Sequence, residues 1–188
     1  MAATRAILRA GALALAALVG LSACTGGAAP SAAVIQAFAP ADRKAAPTLT
    51  GELLDGSGTF DPRGLSGQVV VVNFWGAWCG PCIGEAPELE SVYSAHKAEG
   101  LAFVGIDVRD ELDNARAFAA QNLTYPSIFD PASELALSFA VQPNGVPATI
   151  ILDRQGRIAA VARGPVVRSE LEPVVVALLE ESSGRGPG

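Results

Sequence analysis

The stretch Gln68-Val69-Val70-Val71-Val72-Asn73-Phe74-Trp75-Gly76-Ala77-Trp78-Cys79-Gly80-Pro81-Cys82 decides how this chain is read. Its first eight residues form a continuous β-branched and aromatic run, the pattern of a strand buried on both faces at the centre of a sheet. Helical spacing follows from Pro81 to Ala98, so the Cys-x-x-Cys lies where a strand ends and a helix opens. Free backbone N–H groups and the helix dipole favour a negative charge there, and Cys79 is expected to ionise below the ordinary thiol value of about 8.5. Cys82 is three residues on, near enough to close or open a disulfide with little backbone movement. Pro81 lacks an N–H where the first turn needs none, and its ring fixes that turn. Cys79 is therefore read as the nucleophile and Cys82 as the resolving thiol.

Outward from this stretch, strand and helix signals alternate. Leu101 to Asp107 reads as a second buried strand entered through Gly100. Glu111 to Gln121 and Ala132 to Ala140 show helical spacing, with a short strand Ser127-Ile128-Phe129 between them. Ala148 to Leu152 and Arg157 to Ala162 are β-rich on either side of the turn Asp153-Arg154-Gln155-Gly156. A last helix is expected over Arg168 to Glu181, with Leu171, Val174, Val175 and Leu178 as its apolar stripe. Thr48 to Phe60 reads as an additional hairpin or edge turning at Asp55-Gly56. The order implies an α/β layer with a mixed sheet.

Half of the 188 residues are apolar, the mean hydropathy is +0.35 and the formal net charge is −6, which excludes a disordered chain and a general grip on nucleic acid. Three cysteines are too few for a disulfide-dense scaffold, and the odd one has a separate fate. Residues 1–23 carry Arg5 and Arg9, then an uncharged apolar run from Ala10 to Ala23, as in an export signal. Leu21-Ser22-Ala23-Cys24 resembles the lipobox of bacterial lipoproteins, which makes Cys24 the lipidated residue of a chain held at the extracytoplasmic face of the cell membrane. Residues 24–46 are rich in Gly, Ala, Pro and Ser and read as a flexible spacer. Residues 47–181 are the working domain, and 182–188 a disordered tail. Cleavage at Cys24 leaves eleven basic against nineteen acidic side chains, a net charge of about −8.

Trp78-Cys79-Gly80-Pro81-Cys82 resembles the thioredoxin active site, and the wider pattern is similar to the TlpA/ResA-like family of membrane-tethered thiol-disulfide oxidoreductases. The resemblance runs from residue 48 to 181 and takes in Gly67, Phe74-Trp75, Glu85, Pro87, Gly145-Val146-Pro147-Ala148-Thr149 and the Asp153 to Gly156 turn. It implies a thioredoxin-like fold with a central mixed sheet flanked by helices, an N-terminal β extension and an inserted helix and strand. It implies a cis peptide bond before Pro147, with Val146 pairing its backbone to an extended substrate. Trp78, Gly80 and Pro81 complete the substrate rim.

Glu85 follows Cys82 by one helical turn. The family reading makes it the acid that tunes the thiols and accepts a proton from Cys82; otherwise it is a solvated helix residue like Glu88 or Glu90. Asn73 stands where cytosolic thioredoxins carry a buried aspartate, so a titrating role falls to Glu85. Trp75 is read as core, and His96 as an exposed residue on the same helix as the cysteines.

The resemblance implies no cofactor beyond the redox-active Cys79–Cys82 disulfide, and no metal. It implies a monomer that reduces protein disulfides, the client being the haem-binding cysteines of apocytochrome c, with a membrane thiol donor of the CcdA/DsbD type. An oxidant of secreted proteins is the second reading. A copper-delivery protein would need one more residue between the cysteines and a well-placed histidine, and a peroxiredoxin would need Thr where Gly76 stands.

Overall fold

The computed structural model describes residues 33–181. The signal segment 1–23, Cys24 and the tail 182–188 lie outside the described residues. Strand β1 is Ile35–Ala37, β2 Val69–Trp75, β3 Leu101–Val108, β4 Ser127–Asp130, β5 Ala148–Leu152 and β6 Ile158–Arg163. The helices are α1 Gly80–His96, α2 Leu112–Asn122, α3 Glu134–Ser138 and α4 Arg168–Glu180.

The strands form one mixed sheet in the order β1-β6-β5-β2-β3-β4. β2, β3 and β4 run parallel, while β5 and β6 run antiparallel to their neighbours. Every residue of β2 is buried, as a β-branched run at the centre of a two-sided sheet requires. Val69 and Val71 pack with Leu89 and Val92 of α1 and with Leu171, Val175 and Leu178 of α4. Val70, Val72 and Phe74 face the other way, against Ala136 and Phe139 near α3 and Leu49 of the preceding segment. α2 joins α1 on the first face, where Ala115 and Phe118 pack with Trp75 and the cysteines.

One part of the chain differs from expectation. In the spacer assigned to residues 24–46, the described part, 33–46, is held in place: Ile35–Ala37 pairs with β6, and Ala45 bridges Arg157. Arg43 anchors this segment, its side chain 5% exposed and bonded to buried Asp153 and to Glu181. The composition concealed this because the segment is held by sheet edge and ion pair, not by an apolar stripe. The hairpin expected over Thr48 to Phe60 is present as a short one: Glu52 bridges Thr59 antiparallel, and the N–H groups of Leu53 and Phe60 donate to Gly58 O and Gly51 O. Asp55 accepts from the N–H of Ser57 and Gly56 takes φ 78°, as a tight turn requires. Leu53 also bridges Ile128, so the segment covers the outer edge of β4.

Candidate redox site

Cys79 caps the N-terminus of α1 in an extended conformation, and Cys79 and Cys82 are joined as a disulfide with Cα atoms 5.2 Å apart. Cys79 Sγ also receives the N–H of Cys82 at 3.3 Å. That bond and the helix dipole stabilise a thiolate at Cys79 once the disulfide is opened. Pro81 lies in the first turn, and Gly80 and Pro81 are exposed beside the buried sulfurs.

The rim is assembled from three loops. Trp78 is 48% exposed, and its indole N–H donates to Val108 O at 3.0 Å. The ring lies over Gly76, where a Cβ would stand 2.5 Å from Nε1. No larger residue fits at 76 with Trp78 in place, which is the physical reason a peroxidatic Thr is excluded there. Arg109, at φ 53°, places its guanidinium 5.6 Å from the Trp78 ring centroid and donates to Asn144 Oδ1. It thereby ties the loop after β2 to the loop before β5. The Val146–Pro147 bond is cis, and Val146 packs against the cluster that holds Cys79, Cys82 and Trp75.

Behind the sulfurs, α1 turns Cys82, Glu85, Ala86, Leu89 and Val92 inward. Glu85 is 2% exposed. Its Oε2 accepts the N–H of Val166 at 3.0 Å, and its Oε1 accepts from Asn73 Nδ2 at 2.8 Å. Asn73 also donates to Thr149 Oγ1 at 3.3 Å. Burial pushes the Glu85 carboxyl up to about 7, the two donors only partly opposing it. Glu85 is therefore not a solvated helix residue, and it changes protonation state near neutral pH.

Trp75 is core, as expected. His96 is not exposed: its ring is 15% accessible, with Nδ1 at 2.9 Å from Glu99 and Nε2 at 3.0 Å from Glu172. It stands fourteen residues after Cys82, about 21 Å along the helix, so the structure does not bring it to the sulfurs. Arg109, Asn144 and Asp110, whose Oδ2 accepts the N–H of Ala77 at 2.5 Å, were not singled out in the sequence. Each acts through the loop it happens to reach, which no local spacing encodes.

A Cys-x-x-Cys disulfide at a helix start, beside a cis-proline on a mixed sheet, defines a thioredoxin-like redox domain. The chain belongs to the AhpC/TSA family, whose model matches residues 43–161. It is 32% identical to the thiol:disulfide interchange protein HelX of Rhodobacter capsulatus over 139 residues, 70% of this chain and 76% of HelX. It is 27% identical to the thiol-disulfide oxidoreductase ResA of Geobacillus thermodenitrificans over 107 residues, 56% of this chain; the match spans 60% of that relative's length. Among solved structures, a secreted thiol-disulfide isomerase from Corynebacterium glutamicum superposes with a TM-score of 0.74 at 34% identity, covering 81% of this chain and 96% of the other.

Proposed function

We propose that this protein is an extracytoplasmic thiol-disulfide oxidoreductase, anchored by lipid at Cys24, that reduces disulfides in protein clients. The observation that carries the reading is the Cys79–Cys82 disulfide at the start of α1, with Glu85 buried on the same helix face one turn later. In the reduced form the Cys79 thiolate attacks a client disulfide, making a mixed disulfide and releasing one client sulfur as a thiolate that takes up a proton. Cys82 then gives its proton to the Glu85 carboxylate and attacks Cys79 Sγ. The second client sulfur leaves as a thiolate and takes up the proton Glu85 holds, and Cys79–Cys82 is re-formed. Trp78, Gly80, Pro81, Val146 and Pro147 hold the client against the sulfurs, Val146 by pairing its backbone with an extended segment.

The Gly80-Pro81 dipeptide favours the reducing direction, and the relatives named a thiol-disulfide oxidoreductase and a thiol:disulfide interchange protein support the exchange chemistry itself. The client is then the Cys-x-x-Cys-His of apocytochrome c, with electrons supplied by a membrane dithiol of the CcdA/DsbD type. The second direction is oxidation of secreted proteins, and the similar Corynebacterium glutamicum protein is a secreted thiol-disulfide isomerase. Equilibration of the protein in thiol/disulfide buffers separates the two. A potential near that of thioredoxin, about −270 mV, supports the reductase, and one near −120 mV assigns the oxidant. Loss of c-type cytochromes on gene deletion, restored by an added thiol reductant, tests the client.

A further inference from the structure

The end of β3 carries a carboxyl that the exchange reaction does not use. Asp107 is completely buried, in register between Trp75 of β2 and Phe129 of β4, and neither of its oxygens has a hydrogen-bond donor. The charged groups acting on it are both acids. Asp110 lies three residues on, in the loop after β3, and acts on Asp107 more strongly than Asp130, which ends β4 with its oxygens taken by the N–H groups of Glu134 and Ala136. The polar groups on the same sheet face, Trp75 Nε1 and Ser127 Oγ, are neutral. On α2, Arg116 turns its Nε–H to Leu54 O. An ionised carboxylate in this setting faces burial and two like charges together. As an acid, Asp107 gains an O–H that needs an acceptor, and a carboxylate such as that of Asp110 can supply one.

Asp110 holds the loop that presents the cysteines. Its Oδ2 receives the N–H of Ala77 and its Oδ1 that of Glu111 at 2.8 Å. We propose that Asp107 is a positioning residue for the redox pair: as a neutral acid it donates to Asp110, whose carboxylate grips the Ala77 N–H two residues before Cys79, and loss of that proton loosens the loop. Burial first, then the neighbouring Asp110 and Asp130, hold the Asp107 carboxyl up to about 8, so the grip is intact at neutral pH and fails in mildly alkaline solution. The inference rests on Cys79 being the sulfur this loop offers to substrate, as in the function proposed above.

The test follows the Asp carboxyl carbon and the Ala77 amide by NMR through a pH titration of the wild-type protein, Asp107→Asn and Asp107→Ala. In the wild type, Asp107 should be in its acid form at pH 6.5, and the Ala77 amide should shift together with its ionisation. Asp107→Asn supplies a permanent donor and should keep the Ala77 amide at its low-pH position throughout. Asp107→Ala should displace that amide at every pH. It should also slow alkylation of reduced Cys79 at pH 6.5 about five-fold, the worth of one hydrogen bond, while Asp107→Asn stays within about two-fold of wild type. An Ala77 amide indifferent to Asp107 ionisation, or an Asn variant that behaves like the Ala variant, overturns the proposal. If Cys82 is alkylated before Cys79, the order of attack fails on its own, because the amide titration does not depend on which sulfur reacts.

Discussion

The amide of Asn73 and the carboxyl of Glu85 meet at 2.8 Å inside the fold, joining the central strand to the helix that carries the cysteines. The contact fixes the orientation of the acid while leaving it with a single charge to place. With its carboxyl raised from 4.5 to about 7, Glu85 keeps its proton in the folded state while the unfolded chain has already lost it. Between pH 4.5 and 7 the unfolded chain binds fewer protons, so stability falls as pH rises through this window and then levels off. The 2.5-unit interval corresponds to about 3 kcal/mol. Glu85→Gln should remove this slope. Chemical denaturation at a series of pH values measures it, and an unchanged slope in the variant would show that Glu85 titrates normally.

Asn73→Asp places a second carboxyl where the amide now donates. Two carboxyls at hydrogen-bonding distance in a buried site cannot both ionise, so they should share one proton and titrate as a pair. The variant should lose little stability at pH 5 and on the order of 2 kcal/mol or more at pH 8, where a charge must be forced into the site. Thermal unfolding at the two pH values reads the difference. Equal losses at both would mean that the site admits solvent.

The strands and helices that position the site are legible in the sequence because their signals are local. The run Val69 to Trp75, the capping cysteine, Pro81 and the Asp153 to Gly156 turn each fold as their own neighbours dictate. Glu85 is legible as a candidate from its spacing to Cys82, whereas its burial depends on α4's leading loop delivering the N–H of Val166 from 81 residues away. Asp107 is hidden for a related reason. It falls within the strand that the sequence marks as buried, but only the closeness of Trp75 and Phe129 across the sheet shows that its carboxyl is shut away without a donor. Arg43 was absorbed into a spacer because its partners, Asp153 and Glu181, are 110 and 138 residues distant.

Gly76→Thr would install the residue that a peroxidatic site needs. Its Cβ would stand 2.5 Å from Trp78 Nε1 and 2.8 Å from the next ring carbon, so the indole must leave its seat and release Val108 O. The variant should gain no peroxidase activity and should lose about 1 to 3 kcal/mol, the usual cost of overpacking a filled site. Its tryptophan fluorescence should shift to the red as Trp78 enters water. Retention of the native emission would place the indole elsewhere than over Gly76.

Arg43 and Asp153 form the ion pair that ties the N-terminal segment to the β5–β6 turn, at 3.3 Å and with both side chains at or below 5% exposure. Burial alone would raise the Asp153 carboxyl. The N–H and guanidinium of Arg157, then Arg43 and the N–H of Gln155, outweigh burial and hold the carboxyl below its ordinary value. A depressed carboxyl contributes stability above its unfolded value of 3.8, and that contribution is lost as pH falls through the lower folded one. Arg43→Ala removes one charged partner and leaves Arg157 in place, so the expected loss is roughly 2 kcal/mol at pH 7. It should shrink in acid, where Asp153 is neutral in both states. Hydrogen exchange should report the local effect, with the amide of Phe38, bonded to Ala159 O at 2.8 Å, losing protection before the amides of β2 and β3 do. Uniform loss of protection across the sheet would instead make residues 33–46 part of the cooperative core.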